Sequence, residues 1–235
     1  MKRRGVLALA LAAGAAARAQ ALLTRPVPST GERLPAVGLG TWLTFDVLPY
    51  DGALMAQRRR VIERFFAEGG RVIDSSPMYG HAEAVLGELL ARDEPRLFSA
   101  TKVWTAMGLY GPTQMRRSMA LWKRPRVDLM QVHNLLAWRS HLPTLREWKA
   151  QGLVRLIGVT VSHGRDAELM EQILRTERGL DVLQITYSPA DRSAEPLIAL
   201  AASRGIAVII NRPFDGGELL ARLARVPLPP VAAEL

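Results

Sequence analysis

The chain has no cysteine, which excludes disulfides, thiolate metal sites and a cysteine nucleophile. Its four histidines, His81, His133, His141 and His163, never fall at the spacing of a metal-binding HExxH motif, so no metal site is expected. No apolar run reaches the roughly 20 residues that a membrane-spanning helix needs. Aromatic residues are scarce, at 6%, and do not interleave with basic ones. The formal net charge of +9, from 31 Lys and Arg against 22 Asp and Glu, is therefore not read as a nucleic-acid surface. Its tight clusters are Lys2-Arg3-Arg4, Arg58-Arg59-Arg60 and Lys123-Arg124 with Arg126, and the run at 58–60 reads as a solvated helix face. Repeats, low-complexity tracts and a second domain are also missing. What is present is a globular composition, 49% hydrophobic and 23% charged, in a chain long enough for one domain with a real core.

Residues 1–21, MKRRGVLALALAAGAAARAQA, have a basic start, an apolar run from Gly5 to Ala17 and two A-x-A cleavage candidates. That is the layout of a secretory signal, and Arg3-Arg4 ahead of the run suggests the twin-arginine route. The expected location is the periplasm or outside the cell. The alternative is a membrane anchor formed by an uncleaved signal. The mature domain then spans 25–235.

Past Pro26 the chain alternates short apolar runs with helical stretches. Strands are expected at 37–41, 71–74, 97–102, 128–133, 156–160, 182–185 and 206–210. Helices are expected at 53–68, 81–92, 113–123, 141–151, 165–177 and 194–204. The strands are apolar on consecutive positions, as strands buried on both faces should be. Their separation by helices implies right-handed parallel βαβ units. A dinucleotide-binding doubly wound sheet would want G-x-G-x-x-G in its first turn, but Gly38-Leu39-Gly40-Thr41-Trp42-Leu43 lacks the third glycine. A (β/α)8 barrel is favoured because polar residues fall at the carboxyl ends of several different strands.

Those residues carry chemistry. Asp74 ends the second strand, Tyr79 follows in Asp74-Ser75-Ser76-Pro77-Met78-Tyr79-Gly80-His81-Ala82-Glu83, Lys102 ends the third, and His133 ends the fourth in Asp128-Leu129-Met130-Gln131-Val132-His133-Asn134. Lysine at a buried strand end needs a partner, and Asp74 is the natural one. A phenol titrates near pH 10, and a neighbouring ammonium favours its ionised form. Tyr79 beside Lys102 is thus expected to be a proton donor tuned downward. His133 can hydrogen-bond a carbonyl oxygen. Hydride must come from a cofactor, since no side chain supplies it.

The D-S-S-P-M-Y-G-H-A-E stretch, followed by T-K and D-L-M-Q-V-H-N, resembles the signature of the aldo-keto reductases, from about Val37 to Leu220. The resemblance implies a (β/α)8 barrel and reduction of a small carbonyl substrate with NADPH or NADH. It implies Asp74, Tyr79, Lys102 and His133 as catalytic residues, with Tyr79 as the acid. It places cofactor contacts at Thr41, Asp74, Thr160, Gln184, Asn211 and Arg212. Gln184 can be either a partner for the nicotinamide amide or a hydrogen bond inside the barrel. The sequence departs from the family at Val161, where an asparagine is usual, and at Asn211-Arg212-Pro213-Phe214, where an aromatic ring often stacks on the nicotinamide. Arg212 is read as meeting a cofactor phosphate. Trp42 and Trp104 either line an apolar substrate pocket or pack on the barrel rim, with Trp138 a weaker pocket candidate. Trp122 and Trp148, inside helices, should pack against the barrel. Family members continue past Leu220 with an eighth strand and a phosphate-binding loop. Neither is found here, so the barrel is expected to be incomplete, with a gap between its first and seventh strands and weak dinucleotide affinity. A non-catalytic member that only binds a cofactor or a partner is the competing expectation.

Overall fold

A computed structural model describes residues 22–91, 94–162 and 165–227. The export-signal reading at 1–21 lies outside the described residues. A short antiparallel hairpin, β1 (Thr24–Pro26) and β2 (Arg33–Pro35), precedes a seven-stranded parallel sheet. Its strands are β3 (Leu39–Gly40), β4 (Val72–Asp74), β5 (Phe98–Val103), β6 (Val127–His133), β7 (Val154–Thr160), β8 (Val182–Thr186) and β9 (Ala207–Asn211), paired in chain order. Helices α1 (Gly52–Ala67), α2 (Ala82–Leu89), α3 (Gly111–Leu121), α4 (Trp138–Ala150), α5 (Ala167–Thr176) and α6 (Glu195–Ser203) connect them, and α7 (Glu218–Leu223) follows β9. This is the expected barrel order, curled into a (β/α) barrel of seven strands. Among the described residues no strand joins β3 to β9.

The consecutive apolar runs form strands because both faces are covered. Every residue of β5 is buried, as are all but one in each of β6, β7 and β8. Edge strand β9 is half-buried along its length, as a strand with one free edge must be. The helices bury one face each against the sheet. Met170, Ile173 and Leu174 of α5, and Leu142, Leu145 and Trp148 of α4, join the outer core, and Trp122 is buried against α2. The two helical tryptophans thus pack as the sequence predicts. Trp138 is buried in the core as well, which removes it as a pocket residue. Arg59 and Arg60 of α1 are exposed, consistent with a solvated face.

Two differences from the sequence reading are local. The first strand shrinks to two residues, and Val37 is exposed. The β1–β2 hairpin was not foreseen, because three-residue strands holding Pro26 and Pro35 carry no periodicity. It is held by position rather than propensity. Val27, beyond β1, packs with Phe98, Leu129, Leu156 and Val182 at the amino end of the barrel. Glu32 pairs with Arg71 at 3.0 Å and Arg155 at 2.5 Å.

The helix layer is tightest at Gly87 in α2, where a Cβ would lie 1.8 Å from the Leu121 carbonyl oxygen. A backbone atom cannot yield as a side-chain tip can. Gly87→Ala is therefore expected to separate α2 from the end of α3 and cost about 1–3 kcal/mol or more, despite alanine's better helix propensity. A urea midpoint at or above wild type would show that the two helices can shift freely.

Candidate active site

The register of the parallel strands carries Asp74, Lys102, His133, Thr160, Gln184 and Asn211 to one end of the barrel. Asp74 lies beside Gly40, Lys102 beside Gln131, His133 beside Thr160, and Thr160 beside Gln184. Chain direction alone does this, since all seven strands run parallel and end at the same mouth. A cavity of about 970 Å³ opens there and runs into the barrel, lined by Thr41, Trp42, Asp74, Tyr79, His133, Thr160, Gln184, Asn211 and Arg212 among others.

At its centre the Lys102 ammonium, almost wholly buried, donates to Asp74 Oδ2 at 2.6 Å and to the Ser75 carbonyl at 2.7 Å. Asp74 also accepts from the Gln184 amide at 3.1 Å and, more weakly, from the Gln131 amide at 3.4 Å. Lys102 Nζ stands 5.2 Å from the centre of the Tyr79 ring. The Tyr79 and His133 rings meet edge to face with centres 5.7 Å apart. The four expected catalytic side chains are thus gathered in one place, with Asp74 and Lys102 paired as charge balance requires.

Tyr79 is where the electrostatics depart from expectation. Burial raises the phenol above its ordinary value and outweighs the lowering by Lys102, while Asp74 also raises it. Asp74 opposes the ammonium's field at the ring, and desolvation is the largest influence. Tyr79 is held protonated rather than tuned downward.

His133 is lowered to about 3, first by burial and then by the Lys102 charge. It is neutral at physiological pH. Its Nδ1 lies 2.8 Å from Ser76 Oγ, which also accepts from the Met78 N–H at 3.2 Å. A hydroxyl already accepting from Met78 can donate its hydrogen to Nδ1, which puts the imidazole proton on Nε2. Ser76, the second serine of D-S-S-P, was given no role from sequence. Its only signal is a hydroxyl two residues past a strand-end aspartate.

The His133 shift carries a sign. With the folded value near 3 and the ordinary value 6.5, the unfolded chain binds the proton first as pH falls. The contribution is full above pH 6.5 and is lost as pH falls towards 3, by up to about 1.4 kcal/mol per unit. Relative to His133→Gln, the wild type should lose stability between pH 7 and pH 5. Urea midpoints falling equally in both proteins would mean the imidazole is not buried neutral.

The expected cofactor contacts all line the cavity, but most are already engaged. Thr41 donates to the Asp74 carbonyl or the Ser75 hydroxyl. Asn211 donates to the Val161 carbonyl at 3.1 Å and accepts from Thr186. Gln184 donates to Asp74 and accepts from Gln131 at 3.4 Å, which leaves one lone pair of its carbonyl oxygen towards the cavity it lines. Among the described residues, the Thr160 hydroxyl and the Arg212 guanidinium form no hydrogen bond, and both face the cavity. Trp42 lines the cavity, half exposed. Trp104 is not among the residues lining it. The Gln114 side chain clamps the main chain of Trp104, accepting from its N–H at 2.6 Å and donating to its carbonyl at 2.8 Å.

Glu83 closes the D-S-S-P-M-Y-G-H-A-E stretch. It is a buried carboxyl that accepts from Thr101, Ser118 and Trp122, and burial raises its pKa. It ties α2 to α3 and to the residue before Lys102. Among the described residues no cluster of His, Asp and Glu could hold a metal, and no helix is long and apolar enough to cross a membrane.

Residues 36–226 match the Aldo/keto reductase family. No protein of curated function matches the chain. Among solved structures, the chain is similar to an aldo/keto reductase from Klebsiella pneumoniae in complex with NADP and acetate, at 24% identity and a TM-score of 0.70, over 80% of this chain and 68% of that one. It is also similar to the holo form of an aldo-keto reductase from Bacillus halodurans, at 20% identity and a TM-score of 0.72, over 89% and 71%. A third is the glycerol dehydrogenase of Gluconobacter oxydans, at 21% identity and a TM-score of 0.70, over 88% and 68%. At these identities the structural likeness establishes the fold.

Proposed function

The chain belongs to the aldo/keto reductase family, and from that premise we propose that it reduces an aldehyde or ketone to the alcohol with NADPH or NADH, using Tyr79 as the proton donor. Family membership supports nicotinamide-dependent oxidoreduction in general. The observation that carries the specific reading is the Asp74–Lys102 pair buried beside a protonated Tyr79 at the mouth of an open cavity. A merely binding member of the family would have no need of a buried ion pair beside a phenol, which keeps that alternative in second place.

The residues present fit a nicotinamide. A neutral carboxamide needs one acceptor and one donor, and the cavity wall offers the unpartnered Thr160 hydroxyl together with the remaining lone pair of the Gln184 carbonyl. When bound, the cofactor supplies the hydride. The protein supplies the rest. His133 Nε2–H donates to the carbonyl oxygen and orients it. Tyr79 gives its phenolic proton to that oxygen as negative charge develops there. Lys102, held by Asp74, stabilises the phenolate left behind. Solvent at the open mouth returns the proton.

The test is oxidation of NADPH, and separately NADH, in the presence of a panel of aliphatic and aromatic aldehydes and ketones. Aldehyde-dependent oxidation that vanishes in Tyr79→Phe supports the reading. Cofactor binding without turnover on any carbonyl would favour the binding-only alternative. Export is part of the same proposal. With residues 1–21 as the signal, the enzyme works in the periplasm or outside the cell, and fractionation with amino-terminal sequencing of the recovered protein tests that placement.

A further inference from the structure

Three of the four gathered side chains ride on strands, and the fourth does not. Asp74, Lys102 and His133 belong to β4, β5 and β6. Tyr79 stands in the turn between β4 and α2, outside the sheet. Its hydroxyl can meet a carbonyl oxygen reproducibly only if that turn is fastened at both ends. The near end is held by Ser76, whose carbonyl accepts from the Tyr79 N–H at 3.0 Å and whose hydroxyl accepts from the Met78 N–H. At the far end stand Gly80, in the left-handed region with a φ of 56°, and His81, the N-cap residue of α2. The His81 side chain makes no capping hydrogen bond to that helix, so the start of α2 is fastened from elsewhere.

The fastening is Asp46, from the loop after β3. Its Oδ1 accepts from the His81 N–H at 2.9 Å and lies 3.0 Å from the His81 ring Nδ1. The carboxylate fills the space over Gly80, where a Cβ would come within 2.3 Å of Oδ1. Negative charge is favourable at a helix start. The His81 N–H, ahead of its ring, holds the Asp46 carboxyl below its ordinary value. Asp46 itself is exposed, but its neighbours Phe45 and Val47 are buried in one cluster with Ala82, Val85 and Leu86 of α2. The same loop is tied down along its length. The Thr41 hydroxyl is bonded to Asp74 and Ser75, and the Thr44 carbonyl accepts from Arg58 of α1. The Arg212 guanidinium lies 4.7 Å from the centre of the Trp42 ring. The loop is thus a fixed arm that presents Asp46 to the turn carrying Tyr79.

We infer that Asp46 is a positioning residue for the proton donor: by gripping the His81 N–H it sets where the Tyr79 hydroxyl stands beside Lys102 and His133. The inference rests on the carbonyl reduction proposed above. It adds a residue that is not among those lining the cavity and acts only through the turn. A misplacement of about 1 Å at a reacting group can cost about a hundredfold in rate, so slackening of this turn is felt in kcat. A cap that served stability alone would leave turnover per folded molecule unchanged.

The experiment compares wild type, Asp46→Ala and Asp46→Asn as full chains. It reads kcat and KM for the carbonyl that wild type reduces fastest in the panel above, the NADPH Kd and the solvent isotope effect on kcat. Urea midpoints establish that each protein is folded at the assay temperature. Alanine removes the acceptor, whereas asparagine keeps an acceptor and removes the charge. In Asp46→Ala kcat is expected to fall about ten- to a hundredfold, with KM and the NADPH Kd nearly unchanged. The solvent isotope effect should grow, because proton transfer becomes the slower step. Asp46→Asn should recover most of kcat. An unchanged kcat in Asp46→Ala overturns the inference. So does an equal loss in both variants, which ties the effect to charge, or a loss matched by a drop in cofactor affinity. If the wild type reduces no carbonyl, the reductase reading fails by itself, and the grip is read by hydrogen exchange. The His81 amide should then lose protection in Asp46→Ala and keep it in Asp46→Asn. Protection unchanged in the alanine variant would overturn the anchor.

Discussion

Replacing Tyr79 with phenylalanine is expected to lower kcat for carbonyl reduction by about 10²–10⁴, the usual contribution of a positioned acid, with cofactor affinity nearly unchanged. The substitution removes one oxygen. The ring keeps its edge-to-face contact with His133 and its place over the Lys102 ammonium, so the cavity wall is preserved. The raised phenol value adds a second expectation. Because burial holds Tyr79 protonated, reduction by wild type should show no alkaline limb below the ordinary phenol range near pH 10. Rates falling already between pH 7 and pH 9 would mean that a cofactor or substrate bound at the mouth restores the Lys102 effect, or that another group is the acid. Full turnover in Tyr79→Phe would move the proton to His133, which a value near 3 makes a poor donor at neutral pH.

The gathering of Asp74, Tyr79, Lys102 and His133 was legible in the sequence because alternating strands and helices fix which end of each strand faces the barrel mouth. Once Asp74, Lys102 and His133 are placed at strand ends, parallel topology brings them together without further information. What the sequence did not disclose are quantities that depend on depth and on third partners. The direction of the Tyr79 shift depends on burial and on Asp74 opposing Lys102, neither visible in residue spacing. Ser76 matters through a bond to His133 made across two strands. The clamp of Gln114 on the Trp104 main chain, ten residues apart in sequence, left no mark in the residue spacing. The Arg212–Trp42 contact joins the first and last strands of the sheet, and only closure of the curve reveals it.

The largest expected effect on stability falls on Lys102. Its side chain is 1% exposed and its partner Asp74 13%, so Lys102→Met leaves a carboxylate in the barrel with only two amide donors and strips the Ser75 carbonyl of the Lys102 ammonium. Breaking a buried pair from one side costs about 3–5 kcal/mol, which in a domain of ordinary stability is a large share of the total. Asp74→Asn should cost a comparable amount, since it leaves the ammonium facing amides and a carbonyl. The double variant Lys102→Met with Asp74→Asn buries no charge, and it should be less destabilised than the two single losses added together. Urea midpoints for the three variants and the wild type give that coupling directly. Activity is expected to part from stability. The double variant regains folding but has nothing to stabilise the Tyr79 phenolate, so turnover should stay as low as in Lys102→Met. Strictly additive stability losses would mean that the pair is not coupled in the folded protein. Recovered turnover in the double variant would mean that it supports the fold alone and takes no part in the proton transfer.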